Sequence, residues 1–365
     1  KKEYPDGMEI LLQYETTSEE KREKRLVKVE KSTGEYFHLF YDASGYLCKV
    51  EDHAKRSIIY NVEDGQLKKV STLLGGWFGY EYSSEGKLNR VTNPRGIVIV
   101  ENTYDDSMRT VRQTFPDGSS MSYAYDDEKR TVELTERNGA KTTYVHDEKF
   151  RDIRHTDSEG TESFEYNKRN QKTLHVDKLG RKTQYGYDEK GNLTRVINAL
   201  GIETEIRYGE GDRPVSIRID GQEKIHYAYN EAGDIEEVRD ALGNIHRFRC
   251  GKPGRPEEIL QPDGSRVHIT YDERGNILEL RDAFGSTTRF AYDALNRVTE
   301  TTDGNGNRTC YEYDPSGNII RVVNAEGRER RYRYNESGKV TEIRDFDGST
   351  VKREYNVLNR PSRLI

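Results

Sequence analysis

Eight histidines, three cysteines, a surplus of carboxylates and one run of alternating arginines and tyrosines are the residues of this chain with the most chemical potential. His38, His53, His146, His155, His175, His226, His246 and His268 could ligate a metal or move protons, but their spacing matches no metal-ligand cluster. Cys48, Cys250 and Cys310 are too few and too scattered for a disulfide framework or a zinc site. The segment from Arg328 to Tyr334 interleaves Arg with Tyr, a pattern able to stack and pair with a nucleic acid strand or an acidic sugar. Strand alternation instead sends Arg331 and Arg333 to the face opposite Tyr332 and Tyr334, a solvated outer face beside an aromatic row. No nucleophile elbow, phosphate-cradling loop or dinucleotide fingerprint is present, and no isolated carboxylate pair stands out as acid and base. The expectation is a chain without catalytic, cofactor or metal residues, whose ligand-binding residues, if any, are unknown.

The elements behind these residues follow from one period. From Tyr166 a tyrosine returns at Tyr187, Tyr208, Tyr229, Tyr271, Tyr292, Tyr313, Tyr334 and Tyr355, in steps of 21 or, across Cys250, two such steps. Cys250 holds the slot of a tyrosine and reads as a small apolar substitute. A fixed interval of this size marks a repeat architecture whose units stack to bury a shared face. Tyr14, Tyr41, Tyr60, Tyr82, Tyr104, Tyr125 and His146 extend the series backward at looser spacing, for about 16 units over 1–365: a less regular 1–150 and a regular 151–365.

Within a unit, Tyr185 and Tyr187 alternate with Gln184 and Gly186 and share one strand face. The pair recurs as Tyr80/Tyr82, Tyr227/Tyr229, Tyr311/Tyr313 and Tyr332/Tyr334, which predicts an aromatic ladder between units. Four residues past the tyrosine stands Gly191, Gly275 or Gly317, replaced by Asn170, Asn296 or Asn359, so a short loop with one left-handed residue closes a hairpin. The residue directly after the tyrosine is Asp188, Asp272 or Asp314, exchanged with Asn167, Asn230 or Asn335. An Asx-turn accepts that exchange; a catalytic carboxylate does not. A second turn carries Gly180, Gly201, Gly243, Gly264, Gly285, Gly306, Gly327 and Gly348. On the returning strand, apolar residues stand three apart, as in Leu193/Val196 and Ile319/Val322, which requires either a bulge or a coiled sheet covered on both faces. Coiling is the favoured reading, since an open ribbon of about 30 strands curls rather than stays flat.

Three irregularities qualify the pattern. The interval of 27 between Tyr14 and Tyr41 places a longer charged hairpin loop, or a short helix, at Ser18 to Arg25. Met108, Lys129 and Phe150 stand where the first-turn glycine belongs, which predicts altered turns and more disorder from Tyr104 to Phe150. Tyr4-Pro5-Asp6-Gly7 resembles Phe115-Pro116-Asp117-Gly118, so the chain opens inside a unit and is expected to be part of a longer array.

Bulk composition lists 32% hydrophobic and 34% charged residues, and the mean hydropathy is -1.00, numbers that lean toward disorder. The 25 Tyr and 32 Gly held in register oppose that reading, because a phenol ring buries apolar area while its hydroxyl keeps a polar partner. The net charge of -6 arises from 65 acidic and 59 basic residues, interleaved along the chain, and points to no polyanion partner. No stretch approaches the roughly 18–20 apolar residues of a membrane-spanning helix, and no signal-peptide segment follows Lys1.

Tyr185-Gly186-Tyr187-Asp188-Glu189-Lys190-Gly191-Asn192-Leu193 and Tyr311-Glu312-Tyr313-Asp314-Pro315-Ser316-Gly317-Asn318-Ile319 resemble the consensus of the YD repeat, the building block of Rhs (rearrangement hotspot) proteins. The resemblance implies an all-β array of hairpins forming a long antiparallel sheet that spirals into a hollow shell, as in Rhs toxins, insecticidal toxin-complex subunits and teneurins. It also implies a secreted or cell-surface bacterial protein whose shell encloses a C-terminal toxin domain, with that domain and a secretion apparatus as partners. The family's Asp-rich autoproteolytic core-end motif is not found; Asp314-Pro315-Ser316-Gly317 lies inside an ordinary unit. The expected role is a non-catalytic segment of that shell, with an extracellular adhesin or glycan-binding array as the alternative; neither nucleic acid binding nor membrane insertion is expected. Exposed ribbon ends make self-association an expectation too.

Overall fold

The computed structural model describes residues 2–3, 8–18 and 23–365. They form a single antiparallel sheet of 35 strands in which every strand pairs with the next one in sequence, with one 3-10 turn at Glu210–Asp212. The charged loop expected at Ser18 to Arg25 and the Tyr4 to Gly7 turn lie largely outside the described residues; Glu9–Ser18 and Glu23–Lys31, which flank the former, are paired strands.

The strands Lys182–Tyr187, Leu193–Ile197 and Glu203–Tyr208 show how one repeat is built. Gly186 pairs with Arg195 and Tyr187 with Leu193, so Thr194 is skipped in a bulge. The same register shift recurs directly before Tyr41, Tyr82, Tyr104, Tyr166, Tyr208, Tyr229, Tyr271, Tyr292, Tyr313, Tyr334 and Tyr355. One extra residue on the returning strand brings Leu193 and Val196 to the face that carries Tyr187 and Tyr185. The three-residue apolar spacing is therefore the signature of the bulge, and coiling is not needed to explain it.

In the first turn, Asp188 N–H donates to Asn192 C=O (3.0 Å) and Gly191 N–H to Asp188 C=O (3.2 Å), with Gly191 at φ 102°. This is a tight turn closed by a left-handed residue. Asp188 Oδ1 accepts from the amides of Gly191 and Asn192, both at 2.8 Å, the role either Asp or Asn can fill. Met108 (φ 62°) and Phe150 (φ 58°) keep this backbone and the same pair of hydrogen bonds, contrary to the altered geometry expected of them. The flanking Asx residues and the ladder outweigh a strain of about 1–2 kcal/mol. Only the Lys129 turn differs: a longer loop joins Asp126 to Thr131, and Arg130 takes the left-handed position. Strands continue without interruption through this stretch, from Val98–Tyr104 to Asp152–Asp157.

The aromatic ladder takes another form than ring on ring. Tyrosine-bearing strands alternate with returning strands, so rings of successive units lie about 9.6 Å apart, beyond the roughly 4.5–7 Å of an aromatic pair. Instead most of the anchor hydroxyls reach the neighbouring strand, at the carbonyl 15 residues earlier: Tyr187 to Lys172 (2.9 Å), Tyr208 to Leu193 (2.9 Å), Tyr229 to Pro214 (2.7 Å), Tyr292 to Ile277 (2.8 Å), Tyr313 to Val298 (2.6 Å), Tyr334 to Ile319 (2.7 Å). Tyr41, Tyr82, Tyr125, Tyr271 and Tyr355 do the same, and Tyr104 reaches 16 residues back. In the regular units the accepting carbonyl belongs to the first residue of the returning strand, as at Lys172, Leu193, Pro214, Ile277, Val298 and Ile319. For Leu193 the ladder to the next strand begins only at Arg195, so the phenol satisfies a group that strand pairing leaves over. At Arg109, Arg213 and Arg297, each the residue before such an acceptor, the guanidinium lies over the ring of the next tyrosine at 4.4, 5.7 and 4.6 Å.

All first turns line one edge of the ribbon and all second turns the other. The ribbon winds until these edges meet. His53 Nε2 lies 2.7 Å from Ala294 C=O, Arg56 Nη1 donates to Pro315 C=O (3.0 Å), Asn296 Nδ2 to Glu35 Oε1 (3.3 Å) and Arg95 Nη1 to Asn359 Oδ1 (3.4 Å), partners 241 to 264 residues apart. One turn of the spiral thus takes about 24 strands, a perimeter of about 115 Å and roughly 35–40 Å across if circular. Neither face carries a packed core: among the described residues Ile269 is the one buried apolar side chain, and no side chain is fully buried. A ring filled by its own side chains would bury one face, so this one is hollow.

Candidate functional site

The residues with chemical potential are distributed over this wall. His53 sits in the seam, His38 packs against Tyr36 with ring centres 4.7 Å apart, and His226 and His268 approach Glu223 and Glu258 at 3.9 and 3.7 Å; His246 lies on the strand Ile245–Lys252.

Three histidines do come together. His155 and His175 take the place of the second returning-strand apolar residue and His146 that of a tyrosine, so all three share the phenol face. Asp152 lies 2.8 Å from His146 Nδ1 and 3.4 Å from His155 Nε2, and Glu162 lies 2.6 Å from His175 Nε2. Tyr144, His155, Phe164 and His175 occupy consecutive strands, and their rings touch at 4.6, 5.2 and 5.1 Å. Ring contact appears here because no ring-free strand intervenes. Among the described residues no group of three or more His, Cys, Asp or Glu is arranged to hold a metal ion.

The cysteines remain thiols, each half-buried and far apart in sequence. Cys250 repeats the bulge register of the tyrosine it replaces, and burial pushes its thiol up from the ordinary value. Arg331 and Arg333 project from the exposed face, paired with Glu329 (2.7 Å) and Glu342 (3.6 Å), while Tyr332 and Tyr334 are half-buried on the other. The basic run is thus charge-matched within its own sheet. Cross-strand pairs of the same kind, Arg247 with Glu237 (3.1 Å), Arg266 with Glu258 (2.6 Å) and Arg289 with Glu279 (2.9 Å), continue along that face.

The turn carboxylates are fixed as structural acceptors. Hydrogen bonding to the Arg151 guanidinium holds the Asp147 carboxyl down at about 2, with the Arg151 and Lys149 amides adding to it. Burial pushes Asp52 and Asp293 up, but bonds from the backbone and guanidinium of Arg56 and Arg297 outweigh it and leave both below the usual carboxylate range. Each is committed to stabilising its own turn.

What the arrangement does is enclose space. The residues that close the ring, Glu35, His53, Arg56 and Arg95 against Arg274, Ala294, Asn296, Pro315 and Asn359, escaped sequence reasoning, because nothing in a 21-residue period marks contacts about twelve units apart. Asp52 and Asn93, which open second turns in the seam, are each 5% exposed.

The same wall recurs in known proteins. The family model described as RHS Repeat matches residues 271–308 and 313–350, and that described as Teneurin YD-shell matches 155–282. Among solved structures, the TcdB2-TccC3-Cdc42 crystal structure aligns over 98% of this chain and 23% of its own, with TM-score 0.57 and 12% identity. TcdB2-TccC3 without its hypervariable C-terminal region aligns over 98% and 22%, with TM-score 0.57 and 13% identity. The Photorhabdus luminescens Tc holotoxin pore aligns over 92% and 25%, with TM-score 0.52 and 13% identity. At that identity the likeness speaks to the fold, and the chain spans about a quarter of the length of these neighbours. No curated protein sequence matches it. With the matched segments, the 21-residue Tyr-Asp hairpins and the bulged ribbon that winds back on itself, the chain belongs to the Rhs/YD-repeat family, akin to the shells of toxin complexes and teneurins.

Proposed function

We propose that this chain is a non-catalytic wall segment of an Rhs shell that encloses the C-terminal toxin domain of a secreted bacterial polymorphic toxin. The observation that carries the reading is the closed yet unfilled ring: the edges meet after 241 to 264 residues while both faces stay partly open. With about 5 Å of side chain projecting inward on each side, a ring of roughly 35–40 Å between backbones leaves a lumen of about 25–30 Å, comparable with the core dimensions of a small folded domain whose radius of gyration is about 13 Å. The wall's stability is local, each unit tied to its neighbours through a phenol and a ladder, so it needs no cargo to stay folded. A glycan-binding role draws less support, since the phenol hydroxyls and the arginines that such a surface would offer are engaged within the sheet.

The experiment uses the protein that carries this chain. Its C-terminal domain is expressed alone and together with the repeat array, then challenged with protease and scored for growth arrest of the host. Enclosure predicts a domain that is toxic and digestible alone, and silent and resistant with the array. Equal digestion and equal toxicity in the two forms would refute it.

A further inference from the structure

We propose that Phe40, Ile59 and Trp77 form a docking stripe for a proline-rich segment of a partner protein, bound as a polyproline II helix. The three residues are 40, 42 and 40% exposed and share the face that carries ion pairs such as Arg90 with Glu81 and Arg289 with Glu279. Phe40 pairs with Lys49 and Lys49 with Ile59; Ile59 N–H donates to Ser71 Oγ (2.7 Å), and Ser71 pairs with Trp77. They therefore stand in one row that crosses the strands Tyr36–Tyr41, Ser57–Glu63 and Trp77–Tyr82. Later units differ: the strand-opening place of Trp77 holds Lys182, Glu203, Arg266, Arg308 and Glu329. An aligned apolar row on an otherwise charged face marks a contact surface. Turns of the spiral meet edge to edge, so the wall's own winding covers edges and not this face.

Spacing selects the ligand. Each apolar residue stands two strands from the next, about 9.6 Å at the ordinary strand separation. A polyproline II helix turns once in three residues, about 9.3 Å, so every third side chain meets one of these contacts. A β-strand repeats its face every ~6.7 Å and an α-helix every ~5.4 Å, and both fall out of step along the row.

The surface also supplies what such a helix lacks. Polyproline II has no internal hydrogen bonds, so its carbonyls arrive unpaired. The side-chain amide of Asn61, the Lys69 ammonium and the Trp77 indole N–H have no hydrogen-bond partner among the described residues, and with Gly79 and Pro94 they line a depression of about 620 Å³ beside the row. Gly79, standing where other strands carry Gln184, Glu205, Arg289 or Arg331, opens its floor. Lys49, the charge within the row, is matched by Glu51 (2.9 Å), which leaves a surface suited to a neutral segment docked on aromatic rings. The chain's one Pro-x-x-Pro, Pro253 to Pro256, is tied into the sheet, with Pro256 paired to Cys250, so the occupant is a partner. The proposal is independent of what the wall encloses.

The test reads the fluorescence of Trp77, the single tryptophan of the chain, during titration with an acetylated decaproline peptide, with a Gly-Ser peptide of equal length as control. Decaproline is expected to shift the emission to shorter wavelength and to saturate; the Gly-Ser peptide is expected to do neither. Anisotropy of fluorescein-labelled decaproline then compares variants. Trp77→Arg and Gly79→Arg install side chains that other units carry at these places, and a Cβ on Gly79 meets Thr92 at 3.6 Å, an ordinary contact, so both variants should keep their strand signal in circular dichroism. Each should weaken binding at least about tenfold, and Phe40→Ala about fivefold, while Arg289→Ala, on the same face away from the row, should leave it unchanged. No saturable shift with decaproline, equal binding of the Gly-Ser peptide, or full affinity in both arginine variants would overturn the proposal. A shift with maltohexaose and none with decaproline would overturn it too, and would assign the row to a glycan.

Discussion

Removal of the Tyr313 hydroxyl tests how one repeat is tied to the one before it. Tyr313 donates to Val298 C=O at 2.6 Å across the strand boundary, and its ring lies under the Arg297 guanidinium at 4.6 Å. Tyr313→Phe keeps ring and cation and deletes only the donor. A net hydrogen bond contributes about 1 kcal/mol, and this half-exposed site lets water partly replace it, so a loss of about 0.5–1.5 kcal/mol is expected. In an array whose units couple to their neighbours, that loss stays local. Hydrogen exchange by mass spectrometry should show amides of Val298–Thr302 and Arg308–Tyr313 exchanging about two- to tenfold faster, with Lys182–Tyr187 unchanged. Tyr185→Phe is the control: its ring shares the face of Tyr187, but its hydroxyl has no hydrogen bond among the described residues, so exchange should stay within experimental scatter. Tyr313→Ala, which also deletes ring burial and the cation contact, should cost about 2–3 kcal/mol. Equal effects of Tyr313→Phe and Tyr185→Phe would refute the view that the hydroxyl, and not the ring alone, links the repeats.

Other consequences follow from the turns. Phe150→Gly relieves a left-handed residue that packs on nothing, and should raise stability by about 0.5–1 kcal/mol in urea unfolding; destabilisation would contradict the strain argument. Asp188→Ala removes the acceptor of the Gly191 and Asn192 amides and should lower the urea midpoint, while Asp188→Asn, which keeps that oxygen, should lower it by less than half as much; equal shifts would contradict the Asx role. The carboxyls of Asp147, Asp52 and Asp293 are depressed in the fold, so their contribution is present above the ordinary carboxylate value and lost as pH falls through the folded one. Melting temperature should therefore hold steady from neutrality to about pH 5 and decline from about pH 4 toward pH 2. A decline that begins above pH 6 would show that other groups control acid stability.

Much of the fold was legible because each repeat states its own constraints. The left-handed slot shows itself where Gly191 exchanges with Asn170, and the Asx role where Asp188 exchanges with Asn167, since each exchange leaves one physical property in common. Met108 and Phe150 misled because one strained residue does not remodel a turn whose other bonds are intact. The Leu193/Val196 spacing was visible, but a bulge and a coiled sheet write the same letters; only the pairing of Tyr187 with Leu193 separates them. Stacked phenols failed on distance, through the strand between them. The hollow ring was implied by family resemblance alone, because the Arg56 to Pro315 contact obeys no repeat-length rule and depends on curvature summed over a whole turn.

The winding itself is the claim on which the shell reading depends, and one distance measures it. Spin labels placed at Ala54 and Ala294, in the turns that His53 bridges, would be read by double electron–electron resonance. A wound ribbon puts them within about 20 Å, the turns being in contact and the labels adding the remainder; an unrolled ribbon, with 23 strands between those turns, puts them about 110 Å apart. A short distance in the wild-type background, lengthened by Arg56→Ala combined with Glu35→Ala, is the expected result. A label pair beyond the range of the method would contradict the closed turn and everything built on it.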